Sequence, residues 1–159
     1  MSEPAGLPAS DLEIYAYTSV FAGPPEQLGS ALESIRATSA RRNPALGITG
    51  ALVHDRGRFL QVLEGERAAL DLLVESLTND ARHREMKLLV RAPIKERTFS
   101  GWSMATYDTE ALGAAARSPA EEIDLARMTE AFRANFRLVS VDYFECMARL
   151  LRSHSSVVR

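Results

Sequence analysis

The patterns along the chain run strand, helix, strand, strand, helix, strand, an order that predicts a ferredoxin-like α/β (α+β) sandwich. Two apolar stripes at helical spacing, Leu28–Leu32–Ile35–Ser39 and Leu70–Leu73–Val74–Leu77, alternate with short aromatic or β-branched runs. The stretch "ITGALVHDRGRFLQVLEG" holds two strand patterns around Asp55-Arg56-Gly57, a hairpin signal. With 159 residues, 46% of them hydrophobic, the chain can bury one domain's core.

Each element follows from local chemistry. "MSEPAGLPAS" (1–10) has no basic start and no apolar run, so it reads as a flexible N-terminus and not a signal peptide. "LEIYAYTSV" (12–20) is a strand, and "FAGPP" breaks it. The first helix is expected from Glu26 to about Arg41, with Pro44 ending it by disfavouring helical geometry at Asn43. Strands follow at 48–55 and 58–65, and Gly50 inside the first signals close approach by a ligand or another backbone. The second helix is expected to stop near Asn79-Asp80, and "MKLLVRAPI" (86–94) is a strand closed by Pro93. A short fifth strand is expected near Ser103–Tyr107. The hairpin makes its strands antiparallel, each helix is expected to cross over to a parallel neighbour, and the helices cover one sheet face.

The composition shifts after Tyr107. "DTEALGAAAR" reads as a linker or weak helix, and Ser118-Pro119-Ala120-Glu121 has the pattern of a helix start. Leu125, Met128, Phe132 and Phe136 form one apolar stripe, and Val141, Phe144, Met147 and Leu151 another. These two C-terminal helices are expected to pack on the other sheet face, over Leu60 and Val62, before a frayed tail. The organisation read from the sequence is therefore a flexible segment 1–10, a domain over 11–108 and a helical cap and tail over 109–159.

Several functions are disfavoured. The net charge of −2 gives no footprint for nucleic acid or an anionic membrane. The single cysteine, Cys146, fits a reducing compartment, and no run of about 18 apolar residues exists, so a cytoplasmic location is expected. His54, His83 and His154 lack metal-ligand spacing. No phosphate-loop, nucleophile-elbow or dinucleotide motif occurs. Glu64 and Asp55 read as solvated strand and turn ends, not as an acid/base pair.

One residue breaks the pattern. In "GRFLQVLEGE", alternation puts Phe59, Gln61 and Leu63 on one face and Leu60 and Val62 on the other. Gln61 is thus an amide amid apolar neighbours, with two donors and an acceptor to satisfy. Its ordinary reading is a satisfied buried amide. The basic clusters "SARRN" (39–43) and "DARHR" (80–84) sit at the ends of the two helices. Each alone reads as a solvated surface; together they could flank one anionic ligand.

The combination is more specific. "IYAYTS", "RRNPALGITGALVHDRGRFLQVLEGE", "DARHREMKLL" and "PIKERTFSGWSM" resemble, in order and spacing, the BLUF family, sensors of blue light using FAD. The resemblance covers about Leu12 to Asp108. It implies a ferredoxin-like domain that holds a flavin noncovalently between its two helices, FAD by resemblance with FMN open. By position it implies that Tyr17 is the light-reactive tyrosine and Gln61 the switching glutamine. Asn43 would bind the flavin ring, and Ile35 and Leu77 would sandwich it. Asp80 and His83 fall near the ring and ribityl chain, with Ser39 and Arg42 completing the cofactor set; Arg42 stands where relatives often have Asn or His. Trp102 and Met104 match two last-strand residues whose placement beside the glutamine differs between accounts. The implied function is a stand-alone, non-enzymatic blue-light photoreceptor acting on a separate protein partner, with a homodimer or higher oligomer open. The rivals are a light-insensitive regulatory module and a small flavin oxidoreductase.

Overall fold

The computed structural model describes residues 11–100 and the strands at 104–108 and 157–158. The expectations for 1–10, for Trp102 and for the helices within 109–156 lie outside the described residues. The elements are β1 (Leu12–Phe21), α1 (Leu28–Leu46), β2 (Thr49–Asp55), β3 (Arg58–Glu66), α2 (Arg67–Thr78), β4 (His83–Pro93), β5 (Met104–Asp108) and β6 (Val157–Val158), with one 3₁₀ turn at Pro25–Gln27. The sheet order is β4-β1-β3-β2-β5-β6. This is the α+β ferredoxin-like arrangement expected from the element order.

The strand neighbours differ from the expectation. β1 and β2 run parallel but are not adjacent, because β3 lies between them, antiparallel to both. β1 likewise separates β3 from β4. Each crossover skips one strand: the returning hairpin strand β3 fills the first gap, and β1 fills the second. Among the described strands, only β5 joins a parallel neighbour, β2. The tail is not frayed at its end: Val157 and Val158 pair with Ala105 and Met104 of β5.

Pro44 does not end α1. The helix runs through it to Leu46, where Gly47 takes a left-handed conformation (φ 65°). The Ile48 amide then bonds the Asn43 carbonyl at 2.9 Å, and the Gly47 amide bonds Pro44 at 3.2 Å, closing the last turn. A proline so near the end forfeits only one helix bond. β4 starts three residues before its expected position. Its first turn is irregular, with Glu85 at φ 54° and a register shift opposite Thr18–Val20, so the polar "HRE" looks like loop in the sequence.

The β2–β3 hairpin turns on Arg56 (φ 45°) and Gly57 (φ 83°), the pair of positive angles that suits strand twist. His54 Nε2 accepts the Gly57 amide at 2.9 Å while its ring lies against Phe59. Gly50 serves a backbone approach: a β-carbon there would sit 2.1 Å from the Val62 carbonyl oxygen. The helix-facing core gathers Tyr15, Tyr17, Leu52, Phe59 and Leu63 under Leu70 and Leu73 of α2. α1 differs, for its fully buried residues are Ser39 and Asn43. A helix that buries polar groups faces something polar, and that end of α1 borders the site. On the other sheet face Ile14, Ala16, Ala51, Val53, Leu60 and Val62 are all buried.

Candidate functional site

A cavity, open at its mouth, lies between α1, α2 and the helix-facing side of the sheet. Ile35 of α1 and Leu77 of α2 provide apolar walls, and Leu52 and Phe59 line it from the sheet. Tyr17, Ser19 and Gln61 add polar groups from the strands, Thr38, Ser39 and Arg42 from α1, and Asp80, Arg82 and His83 from the segment after α2.

Strand pairing builds the centre. Tyr17 and Gln61 are direct cross-strand partners on β1 and β3, so their side chains leave the same face side by side. The Tyr17 hydroxyl donates to Gln61 Oε1. Only 3% of Tyr17 and 4% of Gln61 is exposed, so this pair works away from bulk water. Burial pushes the Tyr17 phenol far above its ordinary value; Tyr15 and Asp80 act in the same direction and Arg42 opposes them. The phenol therefore holds its proton throughout the neutral range. His83 stands edge-on to the Tyr17 ring at 6.1 Å, and its Nε2 lies 2.5 Å from the Leu77 carbonyl, to which it donates.

The cavity's charged end is organised by one ion pair. Arg82 Nε donates to both Asp80 oxygens at 2.9 and 3.0 Å, and the Arg82 amide donates to Asp80 Oδ1 at 2.9 Å. These bonds hold the Asp80 carboxyl below its usual range against the opposing effect of burial. Arg82 Nη1 also reaches Ser34 of α1 at 3.1 Å, and Arg42 Nη1 reaches Ser76 of α2 at 3.2 Å. Two arginine–serine bridges thus tie α1 to the elements across the cavity. Burial, and then the Arg82 charge, lower the Arg42 pKa.

The structure brings together Tyr17, Gln61, Ile35, Ser39, Arg42, Leu77, Asp80 and His83. Asn43 is buried one turn beyond Ser39 but is not among the residues lining the cavity. Met104 heads β5, and its side chain, like Trp102, lies outside the described residues. Sequence reasoning missed Ser19, Thr38, Leu52, Phe59 and Arg82. Ser19 and Phe59 were reachable by alternation, each two residues from Tyr17 or Gln61. Arg82 sat within the basic run, whereas Leu52 becomes a neighbour of Gln61 only through the β2–β3 register.

Glu64 is corrected outright: it is fully buried and not a solvated strand end. Its Oε1 accepts the Thr98 amide at 2.7 Å, and its Oε2 accepts the Phe99 amide at 3.0 Å and the Thr49 hydroxyl at 3.1 Å.

A family model described as sensors of blue-light using FAD, BLUF, matches residues 12–105. The chain belongs to the BLUF family. Photoactivated adenylate cyclase subunit beta of Euglena longa is 35% identical over 104 residues, 65% of this chain but 12% of that protein. The chain thus spans about a tenth of the curated relatives it matches. Among solved structures, the dark state of BlrB, a BLUF protein, superposes with a TM-score of 0.64 at 30% identity over 83% of this chain and 98% of that one. Klebsiella pneumoniae BlrP1 with FMN and cyclic diGMP superposes at 0.61 and 28% identity, over 79% of this chain and 35% of that one.

BLUF domains are photosensory modules rather than enzymes, and they bind flavin. The cavity fits that cofactor class on its own chemistry. Ile35 and Leu77 offer apolar walls from opposite helices, as a planar ring requires. Ser19 Oγ and Arg42 Nε are buried without a hydrogen-bond partner among the described residues, and both residues line the cavity. A polar ligand or ordered water in the cavity would satisfy both atoms. Among the described residues no helix is long and apolar enough to cross a membrane.

Proposed function

We propose that this chain is a blue-light photoreceptor in which FAD, held between α1 and α2, is read by Tyr17 and Gln61. The observation that carries the reading is the buried Tyr17–Gln61 hydrogen bond at the cavity wall. When bound, photoexcited flavin supplies a strong one-electron oxidant. Tyr17 would be the donor of one electron and one proton and would recover both, so nothing would be consumed; its proton already points at Gln61 Oε1.

Gln61 is the lasting change. An amide carries a donor and an acceptor at nearly equivalent positions, so rotation reverses its hydrogen bonds with little change in shape. The rotated or tautomerised amide no longer offers Tyr17 the same acceptor, and a flavin held in the cavity would report the altered bonding as a slight red shift. Ser39, Arg42, Asn43, Asp80 and His83 hold the cofactor, and Trp102 and Met104 carry the change into the last strand. Output passes through 109–159 to a separate protein partner in the cytoplasm.

The test is the visible spectrum of the purified protein in the dark, during a blue flash and after it. The expected result is a flavin spectrum that shifts red by a few nanometres and recovers in darkness. A flavin spectrum unmoved by light overturns the photoreceptor reading. Gln61→Leu is expected to keep flavin and lose the shifted state; a normal photocycle in that variant refutes the role given to the amide.

A further inference from the structure

Glu64 lies three residues from Gln61 on β3, on the opposite face of the sheet. It has no part in the cavity. A fully buried carboxylate is costly unless donors satisfy it, and here three do. Two are the main-chain amides of Thr98 and Phe99, in the loop that leads to β5. The third is the hydroxyl of Thr49, the first residue of β2, the strand that β5 pairs with. Arg97 closes the cluster, with its Nη1 donating to Thr49 Oγ1 at 2.9 Å and to the Glu64 carbonyl at 3.1 Å. Phe99 is itself buried, so the loop is anchored by packing as well as by hydrogen bonds.

We propose that Glu64 is a positioning residue for signalling, a latch that ties β3, the strand carrying Gln61, to the start of β5. This rests on the photoreceptor reading above. A change in bonding at Gln61 alters forces on the β3 backbone. Glu64 passes that displacement to the 98–99 main chain, and hence to β5, because its two oxygens grip two consecutive amides. Side-chain packing alone would let the loop slide. Glutamine cannot replace it: one oxygen becomes an NH₂ donor facing an N–H or O–H donor.

The experiment is hydrogen exchange on flavin-loaded protein, dark and lit, in the parent, Glu64→Gln and Glu13→Gln. Glu13 is the control: it is also a buried carboxylate, but it pairs with Arg67 and Arg91 away from the loop. In the parent, light is expected to change exchange in 104–108. In Glu64→Gln the red shift is expected to remain, while the light-minus-dark difference in 104–108 falls at least about five-fold. Glu13→Gln is expected to keep that difference. An undiminished difference in Glu64→Gln, an equal loss in Glu13→Gln or no difference in the parent overturns the latch. Should Glu64→Gln not fold, the near-isosteric Thr49→Val removes one of the three donors; an unchanged difference there overturns the proposal equally. Loss of the red shift in the parent would instead sink the photoreceptor reading, while dark-state protection of the Thr98 and Phe99 amides would still report the tether.

Discussion

Gly50→Ala is the sharpest prediction because its obstacle is backbone. The added β-carbon would lie 2.1 Å from the Val62 carbonyl oxygen, 3.1 Å from its carbon and 3.3 Å from Leu63 Cα. Real β-carbons essentially never come within 3.0 Å, so β2 and β3 must part by about 0.9 Å at that point. No side-chain rotation relieves the clash. Overpacking costs about 1–3 kcal/mol in ordinary cores, and a displaced ladder belongs at the upper end, about 3 kcal/mol. At roughly 2–4 °C per kcal/mol for a chain of 159 residues, the melting temperature should fall by about 6–12 °C. The assay is thermal unfolding of the flavin-loaded protein followed by far-UV circular dichroism. Gly29→Ala is the control: nothing lies within 4 Å of its added carbon, and alanine suits the helix better. A Gly50→Ala protein that melts within about 3 °C of the parent would refute the claim that this glycine is required by a backbone approach.

Three further outcomes are expected. Tyr17 has its pKa raised by burial, so its contribution to stability is present below its ordinary value of 10.0 and is lost as the pH rises beyond it. Urea unfolding at pH 8 and 10.5 should show a larger alkaline loss in the parent than in Tyr17→Phe; equal losses would count against a buried phenol. Glu13 has its pKa lowered, first by the Arg91 hydrogen bond, so its contribution is present above 4.5 and is lost as the pH falls through its folded value. Acid unfolding should therefore be shallower in Glu13→Gln, and a parallel curve would argue against the pairing. Arg82→Ala frees Asp80 and removes a cation from the cavity, so flavin affinity should fall by about ten-fold or more by fluorescence titration, the loss of one charge-assisted bond; unaltered affinity would remove Arg82 from the site.

Periodicity was enough for the element order, because α2 buries a clean apolar stripe and β1 to β3 are apolar runs buried nearly throughout. Leu70, Leu73 and Leu77 face the core or the cavity as their spacing implies. The helix end was misread because Pro44 was weighed without Gly47, whose left-handed cap is what stops α1. Parallel adjacency was misjudged because sequence order does not say which strand a returning hairpin will slip between. At the site, Tyr17 and Gln61 were legible from a motif, and their pairing from the β1–β3 register alone. Glu64 was illegible: a glutamate at a strand end is ordinarily solvated, and two of its three donors come from a loop 34 and 35 residues away. Charge in a sequence reports cost; only the fold shows whether something offsets it.

The two arginine–serine bridges across the cavity have a kinetic meaning. Both are exposed, side chain to side chain, and join parts far apart in sequence. Each is worth about 1 kcal/mol net, so both are broken at once in roughly 3% of molecules at any instant. In that fraction α1 is free to shift against α2 and the segment that follows it, so the spacing between the Ile35 and Leu77 walls breathes. Replacing Ser34 and Ser76 with alanine should enlarge the fraction and speed hydrogen exchange in α1; unchanged exchange would argue against it. The two helices are thus held at a working distance by contacts weak enough to yield.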